Sequence, residues 1–347
     1  MSAQVARRVA VIGSGSWGTA LSGLLAEQVG EVRLWCRSAR VAEAIGATRR
    51  NPRHLTDYEL PSGVHATADA AEALEGAEAV ILALPSSYLR DACRMISPLV
   101  DAKAPVLVLT KGVERGTNEL MADVAATELG GAWRVAVLSG PNHAEEVCLG
   151  KLAAAVLAAR DADVAERLRA LLVSPSFRVY VSEDVVGVEV CGAVKNVIAI
   201  ACGVAAGLGA GDNTLAVLMT RGLAEIGRVA AALGSDPLTP MGLAGMGDLV
   251  ATCTSEHSRN RTFGEALVAG ETLAAYEERT GMVVEGARAA QSVLALARGL
   301  RVAAPITEAV NAVLHEGLPV ADAIDGLLGR RPGEEFYGMA FQDKENH

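Results

Sequence analysis

The sequence predicts an α/β fold: an N-terminal Rossmann-type doubly wound sheet followed by an all-helical C-terminal domain. Three observations predict it. A short apolar run, "RRVAVIG", meets the glycine turn "GSGSWG", then an amphipathic stretch "TALSGLLAEQVG" and a second strand "EVRLWCR", which is the spacing of a βαβ unit. Strand-like runs recur between helical stretches near residues 79–85, 105–112, 134–141, 153–159 and 177–182, the alternation of a doubly wound sheet. Beyond about residue 183 the strands cease, and long Ala- and Gly-rich stretches of helical periodicity take over. The expected boundaries are therefore 1–183 for a dinucleotide-binding domain, 184–331 for a helical substrate-binding domain, and 332–347 for a polar, disordered tail.

The glycine turn carries the first chemistry. Gly13 permits a tight strand-to-helix turn, Gly15 removes a side chain where a pyrophosphate would approach, and Gly18 lets the helix pack on its strand. The helix N-terminus then faces the anion. The second strand ends at Arg37, with no acidic residue where an NAD-selective site presents a carboxylate to the ribose 2′-hydroxyl. Arg37 is either a solvated strand end or a partner for a 2′-phosphate, so both NAD and NADP are candidate cofactors. Ligands of such sheets lie beyond the carboxyl ends of the strands, which directs Ser86, Lys111 and Gly140 to one crevice.

A chain of 347 residues supports two domains and a large core. With 51% hydrophobic but only 3% aromatic residues, that core is built from alanine, valine and leucine. A net charge of −10 argues against a nucleic-acid partner and leaves phosphate recognition to local basic residues. The six cysteines have no CxxC spacing and form no Cys/His cluster, so no metal site and no disulfide framework is expected. Buried thiols in a cytoplasmic protein fit this pattern. No signal peptide and no membrane span are expected; the nearest candidate, "VIAIACGVAAGLGAG", is short and rich in glycine.

The helical half opens with "GVEVCGAVKNVIAIACGVAAG", apolar nearly all round yet carrying Lys195 and Asn196. A lysine there either snorkels to the surface, serves as a structural ion-pair partner, or is a proton-transfer group tuned by burial and neighbouring charge. Arg221 and Glu225, four residues apart, are expected to pair. Asp248, after Gly245 and Gly247, either caps the next helix or reaches Lys195 and substrate. Ser258, Arg259, Asn260 and Arg261 crowd donors suited to a phosphomonoester into one stretch. Asn142 and Glu145 match a capping-box variant for a helix starting after Pro141.

In the order they occur, "GSGSWGTAL", "LTKGVE", "SGPNHAEEV", "GAVKNVIAIACGVAAGLGAGDN", "TRGLAEI", "GLAGMGDLVATCTSEHSRNRTFG", "VVEG" and "PITEAV" make the chain resemble the bacterial type of NAD(P)-dependent glycerol-3-phosphate dehydrogenase from about residue 8 to 330. The resemblance implies reversible reduction of dihydroxyacetone phosphate to sn-glycerol 3-phosphate for phospholipid synthesis, and a homodimer. It places Ser16, Trp17, Arg37, His54, Lys111, Ala144, Arg259, Val283 and Glu285 on the cofactor. Lys111, Gly140, Asn142, Lys195, Asp248, Ser258, Arg259 and Asn260 fall to the substrate. Lys195 matches the catalytic lysine, with Lys111 and Asp248 beside it in the reaction. Asn142-His143 departs from the family's usual hydroxyl residue and phenylalanine, and His54 stands where an aromatic cofactor contact is common. Ketopantoate- or hydroxyisobutyrate-type reductases would share the two-domain plan but would not require "GMGDL" and "SRNR" together. A silent dinucleotide sensor would lack the lysines and phosphate donors.

Overall fold

The computed structural model describes residues 6–331, 333–335, 337 and 338. These divide into two units at Val185, with Arg115–Asn118 grouped with the second. The first unit runs β1 (Arg8–Ile12), α1 (Ser16–Ala26), β2 (Glu31–Trp35), α2 (Ala39–Thr48), β3 (Val64–Thr67), α3 (Ala70–Leu74), β4 (Ala79–Leu82), α4 (Ser86–Ile96) and β5 (Val106–Val108). It continues through α5 (Met121–Leu129), β6 (Val135–Ser139), α6 (Ala144–Val147), β7 (Ala153–Ala159), α7 (Ala162–Leu172) and β8 (Phe177–Ser182).

The strands form one sheet in the order β3-β2-β1-β4-β5-β6-β7-β8. Every neighbouring pair is parallel except β6–β7. Because β1 and β4 lie between helical layers, Val9, Val11, Ile12, Val80, Ile81 and Leu82 are wholly buried, which explains their unbroken apolar runs. The strand order reverses between β1 and β4, where Ile12 pairs with both Trp35 and Leu82. In sheets of this topology ligands lie outside the carboxyl ends of the strands at such a reversal. All the sequence-predicted strands form; β3 is an additional one, of four residues with only Thr67 buried.

Arg90 of α4 ties the segment after β5 to its surroundings. It grips Glu114 with two hydrogen bonds of 2.8 and 2.6 Å, reaches Glu128 of α5 at 2.5 Å, and also bonds Glu119. Val113 and Leu120 bridge across the base of the same excursion.

The second unit is helical among its described residues: α8 (Val185–Gly207), α9 (Asp212–Ala232), α10 (Asp248–Thr254), α11 (Arg259–Val268), α12 (Leu273–Thr280), α13 (Glu285–Gly299), α14 (Pro305–His315) and α15 (Val320–Leu328). At 23 residues α8 is longer than the sequence suggests, and by length and composition it would cross a membrane. Its apolar stretch is largely buried within the protein, the pattern of a core helix. Neighbouring helices approach α8 closely because three crossing points carry glycine: a Cβ on Gly203 would strike the Arg261 carbonyl, one on Gly264 the Ile200 carbonyl, and one on Gly286 the Asn196 carbonyl.

The expected Arg221–Glu225 pair does not form. Glu225 is fully buried, and its two carboxylate oxygens accept the backbone N–H groups of Ile306 and Thr307, both at 2.9 Å. It thereby satisfies the open start of α14, where Pro305 supplies no N–H. Burial raises the Glu225 pKa, opposed by those bonds and by Arg228. Arg221 donates to the Glu335 carbonyl at 3.0 Å instead. The tail expected at 332–347 lies outside the described residues except for 333–335, 337 and 338, where the Tyr337 ring sits 4.5 Å from the Arg228 guanidinium carbon.

Candidate active site

Gly13 ends β1 with φ +115°, and a Cβ there would strike the Ala83 carbonyl. A Cβ on Gly18 would strike the Gly13 carbonyl, so glycine at both positions follows from the turn's own packing. Gly15 is different: a Cβ there would meet nothing within 4 Å. It is the N-cap of α1, no side chain caps the helix, and its first turn has no acidic residue. Orphan N–H groups at a helix start beside open space are the donor set a pyrophosphate fits. Ser16 and Trp17 form that first turn, and Trp17 packs edge-on against Phe177 at 6.3 Å.

Sequence reasoning misses the residue that secures this turn. Asn51 is wholly buried in the loop joining α2 to β3. Its Nδ2 donates to the Ser14 carbonyl and to Thr19 Oγ1, both at 2.8 Å. Its Oδ1 accepts the N–H groups of Arg53 and His54 at 3.0 and 3.2 Å, which places the half-buried His54 on the same loop. The signal available was the Asn-Pro pair at 51–52, a turn marker.

Arg37 is exposed just past β2, its guanidinium carbon 5.2 Å from the ring centroid of Tyr88 in α4. Lys111 follows β5 and is half-buried, while Gly140 and Asn142 are buried just past β6. Ala144 opens α6 and is buried. The capping box expected from Asn142 and Glu145 is absent: His143 is the N-cap and makes no side-chain cap bond, because α6 starts a residue later and spans only one turn.

In the second unit, Lys195 lies in mid-α8 at 5% exposure. Its ammonium donates to Asp248 Oδ1 and, at 2.8 Å, to Thr252 Oγ1. Both partners come from α10, where Asp248 and Thr252 stand one turn apart on one face. A π-type turn over Leu243–Gly247 feeds into α10, so Gly247 is the N-cap and Asp248 is released from capping to hold the lysine. Thr252 went unremarked in the sequence, although its i+4 spacing from Asp248 was visible. Nearby, the Cys253 thiol is pushed up by a hydrogen bond with Cys202 and by burial, with Lys195 opposing; it is a poor nucleophile.

The phosphate-type donors gather at the start of α11. Ser258 is its N-cap, its hydroxyl accepting the Arg261 N–H at 3.3 Å. Arg261 turns to Glu265 at 2.8 Å, and Arg259 is half-buried in the first turn. Asn260 donates to Asn196 Oδ1 at 3.0 Å and accepts the Gly286 N–H at 2.8 Å, joining α11 and α13 to the residue after Lys195. Val283 and Glu285, partly buried, lead into and open α13 beside this junction. The unit thus sets an ion-paired ammonium and a helix start rich in donors along one stretch of α8. An ammonium so placed can give and take a proton.

Comparison with known proteins agrees with both halves. Residues 8–165 match the family model for the N-terminus of NAD-dependent glycerol-3-phosphate dehydrogenase, and residues 184–325 match that for its C-terminus. A Nocardia farcinica protein named glycerol-3-phosphate dehydrogenase [NAD(P)+] is 49% identical over 331 residues, covering 93% of this chain and 98% of its own. The crystal structure of glycerol-3-phosphate dehydrogenase from Coxiella burnetii superposes with a TM-score of 0.89 at 39% identity, over 94% of this chain and 100% of that one. The Saccharomyces cerevisiae glycerol-3-phosphate dehydrogenase gives 0.78 at 28% identity, over 92% and 98%. With matching models on both units and relatives aligned over nearly their whole length, the chain belongs to the NAD-dependent glycerol-3-phosphate dehydrogenase family and is an oxidoreductase that uses NAD(P).

Proposed function

We propose that the protein reduces dihydroxyacetone phosphate to sn-glycerol 3-phosphate, reversibly, in the cytoplasm, as a homodimer, and that the product serves phospholipid synthesis. The observation that carries the reading is the Lys195 ammonium, buried in α8 and held by Asp248 and Thr252. When bound, the nicotinamide supplies the hydride that the ketone carbon accepts.

Lys195 has the protein's own part in that step: its Nζ stabilises the negative charge that builds on the carbonyl oxygen and delivers the proton that makes it a hydroxyl. Asp248 and Thr252 fix the ammonium in one orientation, so little reorganisation accompanies the transfer. Lys111 brings a second positive charge to the same oxygen. Arg259 and Asn260 hold the phosphate, Arg259 through its planar fork and Asn260 through the Nδ2 hydrogen not directed at Asn196, with Ser258, Gly140 and Asn142 as further contacts. Binding energy from the phosphate end then orients the reacting carbon. Arg37 faces the adenosine end, which suits a 2′-phosphate. Ser16, Trp17, His54, Ala144, Val283 and Glu285 complete the cofactor contacts.

The test follows NADPH or NADH absorbance with dihydroxyacetone phosphate and, in parallel, unphosphorylated dihydroxyacetone. Turnover that requires the phosphate supports the reading. Equal turnover of both ketones, or faster turnover of a phosphate-free 2-keto acid, would replace it with a hydroxyacid reductase.

A further inference from the structure

We infer that Asn51, through the backbone it holds, is a positioning residue for the dinucleotide's pyrophosphate. The inference rests on the cofactor reading of the glycine turn and adds a residue outside it. Asn51 sits on the loop after α2, yet its wholly buried amide reaches the Ser14 carbonyl and the Thr19 hydroxyl at 2.8 Å each. In a planar trans peptide the C=O and the following N–H point in opposite directions. Fixing the Ser14 carbonyl on the Asn51 side therefore turns the Gly15 N–H away from it, at the one glycine of the turn whose surroundings are open. The bond to Thr19 ties the same amide to the first turn of α1, whose backbone donors are uncapped. All four hydrogen-bonding positions of the Asn51 side chain are filled at once, since its Oδ1 also accepts the amides of Arg53 and His54.

The turn is consequently set before ligand arrives, and a dinucleotide meets aligned donors without ordering them itself. Replacing Asn51 by aspartate keeps the shape and the acceptor but sets a carboxylate oxygen against the Ser14 carbonyl, which has no hydrogen to give it, while the Thr19 hydroxyl can turn and donate to the carboxylate. The peptide between Ser14 and Gly15 then loses its fixed orientation.

The experiment titrates the intact chain and its variants with NADPH and, separately, with ADP, which carries the pyrophosphate without the nicotinamide, and reads Kd calorimetrically. Asn51→Asp is expected to weaken NADPH and ADP by the same factor, about 10- to 100-fold, the range for a hydrogen bond to a charged group. At saturating NADPH its KM for dihydroxyacetone phosphate should stay within about twofold. Thr19→Val, which preserves volume, should weaken both ligands about fivefold, and Thr19→Ser should restore them. Should Asn51→Asp not fold, the threonine pair decides. Unchanged Kd values in the folded variants, or a loss shared equally by NADPH and substrate, would overturn the positioning role. Failure of the parent protein to bind either nucleotide would instead remove the cofactor reading on which it stands.

Discussion

At the scale of single residues, the chemistry turns on a charge placed where the surrounding helix is apolar. That was legible in part: a lysine and an asparagine interrupting "GAVKNVIAIACG" stand on a helix that is apolar nearly all round, which left the lysine either to snorkel to the surface or to be buried with a partner. What holds the lysine was only half legible, since Asp248 stood out but Thr252 did not. Lys195→Ala should lower kcat about 10²- to 10⁴-fold while leaving NADPH affinity nearly unchanged, as measured by steady-state kinetics beside calorimetric titration. A parallel loss of NADPH binding would show the lysine to be structural. Thr252→Val removes one bond to the ammonium and leaves Asp248 in place; kcat should fall about fivefold, with KM for the ketone little altered. The failure of Arg221 to pair with Glu225 shows the limit of local spacing. Four residues is the correct interval for an ion pair, but two orphan N–H groups at the start of α14, some eighty residues later, hold the carboxylate.

At the scale of elements, the parallel strands announced themselves as apolar runs because both faces are buried, whereas β3, with one buried side chain, left no such trace. The π-type turn before Asp248 was equally silent, because its geometry is set by tertiary packing rather than by composition. Glu225→Gln tests the element that replaces the expected ion pair: the two N–H groups bond to different carboxylate oxygens, and replacing one oxygen by an NH2 group sets donor against donor, so stability should fall by about 1–3 kcal/mol. Calorimetry would read it, and an unchanged melting temperature would mean that water replaces the carboxylate. The Arg90 cluster between α4 and α5 is one contributor to acid stability. Hydrogen bonds from Arg90 and then Arg94 lower the pKa of Glu128 below its ordinary value of 4.5, and Arg49 does the same for Glu59. The unfolded chain therefore binds more protons than the folded one just below pH 4.5, so stability rises with pH across that interval. The contribution is complete above 4.5 and is lost as pH falls through the lowered folded values. Melting temperature should drop between about pH 5 and pH 3, and Arg90→Met should flatten that slope.

Across the whole molecule, composition and motif order foretold the succession of sheet and helices, because the first half alternates strand runs with helical stretches and the second keeps to a helical period. They could not foretell Asn51, whose significance exists only once its loop folds back on the glycine turn. NADPH at a hundred times its Kd should raise stability by about 2.7 kcal/mol. Hydrogen exchange should slow in the turn at 13–19 and in the loop at 49–55 together, since one side chain fastens both. Protection of the turn alone would argue that the loop is a bystander.

The glycine crossings on α8 bear on engineering. Exchanging helical glycine for alanine ordinarily gains about 0.5–1 kcal/mol by restricting the unfolded chain. Here Gly203, Gly264 and Gly286 are exceptions, for a methyl at any of them would wedge two backbones apart in the layer that carries the lysine. Gly46 and Gly326, where a methyl would meet nothing within 4 Å, are the sites at which a thermostabilised catalyst should be sought.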